Sequence, residues 1–518
     1  MQPTERINSS STVCFDAGWR SIEDIVALAE KSAAASLSAA PEFRAAIARG
    51  ADFLDLRLAE AGVIYGVTTG FGDSCTVAIQ PELIAELPRH LYTFHGCGLG
   101  AHFTPGETRA VIAARLTSLC KGFSGVSVGL LEQLVNLLER DILPAIPCEG
   151  SVGASGDLTP LSYLAAVLCG EGEVLRAGAT VPAAAVLADA SITPLRLRQK
   201  EALAIMNGTA VMTGLACLNY VRAEYLTRLV TRISALASFA LDGNAEHFDE
   251  TLFAVKPHPG QQAVASWLRQ DLPVQQSAAD GKRLQDRYSI RCAPHIIGVL
   301  ADALPWLRSY IENELNSAND NPIIDAANER VLHGGHFYGG HIAFAMDSMK
   351  NAVANLADLL DRQMALLVDS RYSNGLPANL SGVTGPRAAI NHGLKALQIS
   401  ASAWTAEALK LTMPASVFSR STECHNQDKV SMGTIAARDC TRVLELTEQV
   451  AAALLITVRQ AVWLRCRFNV SALPSAVLQR MIDALAADIA VIEEDRRLEP
   501  NLRLLLERIR SRAWKLYE

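Results

Sequence analysis

Four stretches of the chain, Leu203 to Ala240, Ile297 to Leu315, His341 to Ser370 and Thr434 to Arg467, carry apolar residues at helical spacing with few charges. That periodicity predicts helices, and the last two far exceed the usual helix of ~11–12 residues. Runs such as AFAMDSMKNAVANLADLL are rich in Ala and Leu. Helices this apolar bury more than one face. The expected fold is therefore mainly α, a long central helical bundle whose central helices also meet partner subunits. Ser21 to Ala34, Pro41 to Ala61, Pro105 to Cys120 and Val126 to Arg140 continue the helical pattern. Gly62 to Cys75 and Pro147 to Pro160 break it as loops, and Gly172 to Pro182 predicts short strands. No repeat, low-complexity tract or proline-rich linker marks a boundary. The expected organisation is a smaller mixed part over residues 1–200, which carries the Gly62 to Cys75 and Pro147 to Pro160 loops, and a helical part over residues 201–518, in one compact unit.

Composition narrows the class. Half the residues are hydrophobic, 19% are charged and the net charge is -7, which argues against a nucleic-acid partner. The first twenty residues lack the apolar run of a secretory leader. The strongest uncharged apolar run, Val450 to Val458, is far too short to span a bilayer. A cytoplasmic protein without membrane contact is expected. Eleven cysteines lie scattered from Cys14 to Cys466 with no CxxC pair, so zinc-ribbon and redox motifs fail. Most are expected to be buried free thiols in a reducing compartment.

Chemistry concentrates in short motifs. Residues 150–160 read GSVGASGDLTP, a turn in which Asp157 or Thr159 is placed to cap the next helix. Within it, Ala154-Ser155-Gly156 meets the steric needs of backbone cyclisation. The Gly156 amide is unhindered, and Ser155 can lose its hydroxyl as water to leave an exocyclic methylene. In YGVTTGFG, Tyr65 can act as a base only where positive potential lowers its pKa of about 10. Asn207 and Gly208 interrupt a strongly helical run. Tyr288 and Arg291 in QDRYSIRCAPHIIG share a helical face, and arginine suits a substrate carboxylate. NSANDNPIID is a turn. HGGHFYGGH holds His333, His336 and His341, but its glycine flanks and lack of cysteine favour a loop near a ligand over a metal site. ECHNQDKVSMG reads, taken alone, as a solvated capping region.

Taken in order, YGVTTGFG, GSVGASGDLTPL, NGTAVMTG, YSIRCAPHIIG, NSANDNPIID, HGGHFYG, NGLP and HNQDKVSMG resemble the aromatic amino acid ammonia-lyase family, from about residue 60 to 440. The resemblance implies that Ala154-Ser155-Gly156 cyclises to 4-methylideneimidazole-5-one (MIO), with no metal and no nucleotide. It implies that Tyr65 removes the β-proton and Arg291 holds the carboxylate. Asn207 and Tyr288 would support the MIO group and the leaving amine, while Gln285, Asn321 and Phe337 line the site. The fold implied is mainly α, a superfold shared with fumarase/aspartase-type lyases, as a homotetramer with active sites shared between subunits. The Ser-Ser-x-Met-Pro-x-Lys-x-Asn loop of those other lyases is absent from the sequence.

Two positions bear on the substrate. Histidine enzymes of the family resemble one another with Gln-Glu-Asp where this chain has Asn426-Gln427-Asp428. Neutral Gln427 lacks the carboxylate expected to pair with an imidazole. The family's selectivity pair falls at Phe94-His95, where Phe94 resembles the phenylalanine enzymes while His95 can hydrogen-bond a tyrosine phenol. L-Tyrosine, giving 4-coumarate, is the expected substrate, with L-phenylalanine and cinnamate next. Histidine ammonia-lyase activity giving urocanate, or an aromatic 2,3-aminomutase, are the alternatives. The family pattern HGGNF is HGGHF here, so His336 stands where an asparagine is usual.

Overall fold

A computed structural model describes residues 11–60, 62–272, 283–469 and 472–517. Residues 1–10, on which part of the leader reading rested, lie outside this set. About 60% of the chain is helical and strands are few and short, so the fold is mainly α as expected. Two compact units are present. One comprises Met1–Val221, Arg308–Asp347 and Pro414–Arg438; the other comprises Arg222–Leu307, Ser348–Met413 and Asp439–Glu518.

The first unit is built around the Pro105–Leu119 helix, buried without interruption from Thr108 onward. A capping box between Thr104 and Glu107 starts it. Pro41–Ala59, Val128–Glu139 and Leu158–Leu168 are further helices of this unit. The expected Ser21 to Ala34 helix stops at Ala29, and Ala33–Leu37 forms a strand parallel to Ser11–Phe15. Its second half, AAASL, alternates poorly for a helix face and pairs instead with the β-branched STVCF run. The short strands expected over Gly172 to Pro182 are present and pair as a hairpin, Glu173–Arg176 against Ala179–Pro182. Another, Ile323–Asp325 against Arg330–Leu332, follows the Asn-rich turn.

The run from Leu203 to Ala240 is two helices, not one. Glu201–Met206 ends at Asn207, and Ala210–Ala240 begins after the break. Asn207 leaves helical geometry, and Gly208 beside it packs so closely that a methyl group on its Cα would collide with the Arg115 guanidinium. The other long helices match expectation, as Ala293–Leu315, Gly340–Val368 and Gly433–Phe468.

The second unit is a helical assembly held by buried polar contacts as well as apolar ones. Arg222 grips Glu448 with two hydrogen bonds of 2.8 and 3.0 Å. Gln460 donates to the carbonyls of Leu380 and Ile492. Val450 to Val458 is buried throughout, and no described helix is long and apolar enough to cross a membrane. All eleven cysteines are unpaired, but the expectation that most are buried fails: only Cys120, Cys217 and Cys440 are, and Cys14, Cys75, Cys97 and Cys424 are exposed.

Candidate active site

The Ala154-Ser155-Gly156 turn lies between the Pro147–Glu149 strand and the Leu158–Leu168 helix. Gly156 is left-handed, at φ +71°, and a methyl group there would collide with the Gly208 carbonyl. The next amide, of Asp157, donates to that carbonyl at 2.8 Å. Asp157 does not cap the helix it precedes, contrary to expectation. One of its carboxylate oxygens accepts from the amides of Val211 and Met212 at 3.0 and 3.1 Å. The other accepts from the hydroxyls of Ser151 and Thr434. Val211 and Met212 open the Ala210–Ala240 helix, whose first amides have no intrahelical acceptor, and Asp157 supplies one. Burial pushes the Asp157 carboxyl up to about 6, against the opposing effect of these donors.

Gln427 reaches the same turn, its Nε2 donating to Ser155 Oγ at 3.4 Å. Its Oε1 accepts from Thr422 Oγ1 at 2.9 Å, and the two residues also pair through their backbones. The loop they close contains three successive left-handed residues, Glu423, Cys424 and His425, a conformation uncommon outside glycine. At its tip, the Glu423 carboxylate accepts from the Asp73 amide at 2.7 Å and lies against Gly72. The Gly72 amide in turn donates to Tyr65 Oη at 2.7 Å. One loop thus links Ser155 to Tyr65. The reading of this segment as a solvated cap missed Glu423, although it stands four positions before Gln427.

Tyr65 does not sit in the positive potential anticipated for a base. Burial raises its pKa, the Gly72 amide opposes the rise, and the Glu423 carboxylate and Cys75 add to it. Burial also lowers the pKa of His95, with the Leu91 carbonyl and Glu423 pulling the other way. His95 Nδ1 lies 2.9 Å from the Leu91 carbonyl oxygen. A carbonyl only accepts, so Nδ1 carries the hydrogen and Nε2 of the neutral ring keeps a lone pair. The Phe94 ring lies beside it, centroids 4.1 Å apart, and is exposed.

Asn207 and Asn321 meet at the helix break. Asn207 Nδ2 donates to the Asn321 carbonyl at 2.8 Å and to Asp320 Oδ1 at 3.4 Å. Asn321 Oδ1 accepts from the Gly334 amide at 2.9 Å, which ties down the loop carrying His336 and Phe337. His336 is exposed and Phe337 half-buried. His341 lies edge-on to Tyr310 instead of joining a cluster. Among the described residues no three His, Cys, Asp or Glu side chains are grouped to hold a metal.

Tyr65, Phe94, His95, Ala154, Ser155, Gly156, Asn207, Asn321, His336, Phe337 and Gln427 all belong to the first unit; Gln285, Tyr288 and Arg291 belong to the second. There, Tyr288–Arg291 is a short helix and the Arg291 guanidinium lies 4.7 Å from the Tyr288 ring centre, on the shared face expected. Arg291 Nε is buried and has no acceptor among the described residues. Gln285 is exposed, and its backbone carbonyl accepts from Arg283.

The sequence pattern of the family described as aromatic amino acid lyase matches residues 20–487. A histidine ammonia-lyase from Gloeobacter violaceus is 36% identical over 489 residues, 94% of this chain and 93% of that protein. A tyrosine ammonia-lyase from Cereibacter sphaeroides is 37% identical, covering 85% of this chain and 86% of its own length. The crystal structure of a tyrosine aminomutase from Streptomyces globisporus superposes with a TM-score of 0.89 at 33% identity, over 97% of both chains.

Proposed function

The chain belongs to the aromatic amino acid lyase family, and from that membership we propose that it eliminates ammonia from an aromatic L-amino acid, L-tyrosine ahead of L-phenylalanine, to leave 4-coumarate or cinnamate. What carries this reading is the loop that joins Ser155, through Gln427 and Glu423, to Tyr65.

Ala154, Ser155 and Gly156 fit the self-made prosthetic group of the family, MIO. Gly156 packs where no side chain fits, and the turn is anchored through Asp157 on one side and Gln427 on the other. Once formed, that group supplies an electrophilic methylene that activates the substrate amine for departure. The chain's own residues do the rest. Tyr65 takes the β-proton, which requires its phenol to ionise. Burial and Glu423 oppose that, so the ionisation needs a cation nearby, and the substrate's own amine brings one as it binds. Arg291 holds the carboxylate, its buried Nε having no acceptor among the described residues. From the family membership we also propose a homotetramer in which subunits share active sites. Eleven unpaired thiols suit the reducing cytoplasm.

His95 supports tyrosine over phenylalanine. Its Nε2 lone pair seeks a donor, which a phenol supplies and a phenyl ring does not. A second reading, histidine, draws on the curated relatives, several of which are histidine ammonia-lyases, and on Glu423, a carboxylate near His95 that an imidazole could meet. Ultraviolet monitoring with L-Tyr, L-Phe and L-His supplied separately tests the assignment. Conjugated product from L-His alone overturns it, and a β-amino acid as main product by chromatography replaces lyase with aminomutase.

A further inference from the structure

Behind Asn207 lies an ion pair with no contact with solvent. Lys200 Nζ and Asp320 Oδ2 are 2.6 Å apart, and both side chains are 0% exposed. Burying two charges costs several kcal/mol per ion before their attraction is counted, so such a pair is weak evidence for stability alone. Its value lies in what the rest of the carboxylate does. Asp320 Oδ1 accepts from the Asn321 amide at 2.7 Å and from Asn207 Nδ2 at 3.4 Å. The other Asn207 acceptor is the Asn321 carbonyl.

A carboxamide can turn over, exchanging its oxygen and nitrogen, unless its partners distinguish the two ends. The Asn321 carbonyl only accepts. Asp320 Oδ1 accepts from Asn207, and the Lys200 ammonium at Oδ2 pins the carboxylate in that orientation. Both N–H groups of Asn207 are thereby committed, and its Oδ1 is the end left over. Arg115 braces the same corner from the other side. Fully buried, it donates to the carbonyls of Asn319 and Ala204, joining the Asp320 loop to the Glu201–Met206 helix that Asn207 ends.

We propose that the buried Lys200–Asp320 pair is a positioning device that fixes the Asn207 carboxamide with its oxygen free to accept from the substrate's ammonium. The inference rests on the ammonia-lyase reading for the identity of that donor. Lys200 and Asp320 are positioning residues here, since neither meets solvent or substrate.

The test uses full-length Asp320→Asn, which keeps the shape and loses the charge, and the double variant Lys200→Met/Asp320→Leu, in which an apolar pair replaces the ions and is commonly tolerated. Folding is checked by circular dichroism and thermal unfolding. Calorimetry then compares binding of L-tyrosine with binding of 3-(4-hydroxyphenyl)propanoate, the same skeleton without the amine. In whichever variant folds, kcat should fall by roughly 100-fold, the loss typical of a misplaced group. The affinity for the amino acid should weaken at least roughly tenfold, while that for the amine-free analogue stays within about threefold. Equal weakening for both ligands, or wild-type kcat in a folded variant, overturns the positioning role and leaves the lyase reading standing. No turnover of any aromatic amino acid by the wild type overturns both.

Discussion

The Gln427 carboxamide nitrogen lies 3.4 Å from the Ser155 hydroxyl oxygen, so the neutral residue standing where the Gln-Glu-Asp pattern has its glutamate touches the residue proposed to become the electrophile. A neutral side chain there leaves no charge to meet a cationic ring. Gln427→Glu is expected to raise kcat/KM for L-histidine relative to L-tyrosine by roughly tenfold, about 1.4 kcal/mol of differential binding. Parallel steady-state measurements on both substrates check it; an unchanged ratio removes Gln427 from specificity.

Ser155→Ala cannot lose a hydroxyl and is expected to show no turnover. Mass spectrometry of the peptide spanning residues 154–156 should find the wild type lighter by the water of ring closure and the water from Ser155, and the variant without that deficit. An unmodified, active wild type would end the proposal for this turn.

His95→Leu removes the Nε2 acceptor and leaves an apolar wall beside Phe94. The ratio of kcat/KM for L-tyrosine over L-phenylalanine should fall by at least roughly tenfold, since an unpaired polar group costs ~1–3 kcal/mol. A ratio that does not move places the ring elsewhere.

The Glu423 carboxylate raises the Tyr65 pKa. A base with a raised pKa works better as pH climbs, so kcat/KM should rise on the alkaline side. In Glu423→Gln the charge that opposes ionisation is gone, and that limb should move to lower pH. Superimposable profiles for wild type and variant would separate Glu423 from Tyr65.

Asp157 carries a signature in stability. Its folded pKa is pushed up to about 6 from an ordinary 3.8. Between those values the folded state keeps a proton that the unfolded state has lost, so stability from this group is fullest below pH ~4 and declines toward pH ~6, by about 3 kcal/mol. Asp157→Asn should fold, because the Ser151 and Thr434 hydroxyls can reverse to accept from the new amide while its oxygen serves Val211 and Met212. Chemical denaturation at both pH values should show the wild-type decline flattened in the variant.

Much of this was legible in the sequence, for identifiable reasons. The long helices declare themselves because apolar period and length agree, and one of them is divided at Asn207 and Gly208. The Ala-Ser-Gly turn, Tyr65 and Gln427 each stand within a distinctive local motif. What escaped notice depends on contacts far apart in the chain. Asp157 lies 54 and 55 positions from the amides it serves, and Lys200 lies 120 from Asp320. No local pattern announces such pairs. The strand at Ala33–Leu37 was missed for the same reason, since its partner strand decides it.

Asp157 also settles which anions this corner will admit. The amide end of the Ala210–Ala240 helix is a natural seat for a carboxylate or phosphate, and here a side chain of the chain itself occupies it. Asp157 is fully buried, so that seat is taken before any outside anion can reach it. Filled from within, that end of the helix serves to hold the Ala154-Ser155-Gly156 turn in place and is closed to any other anion.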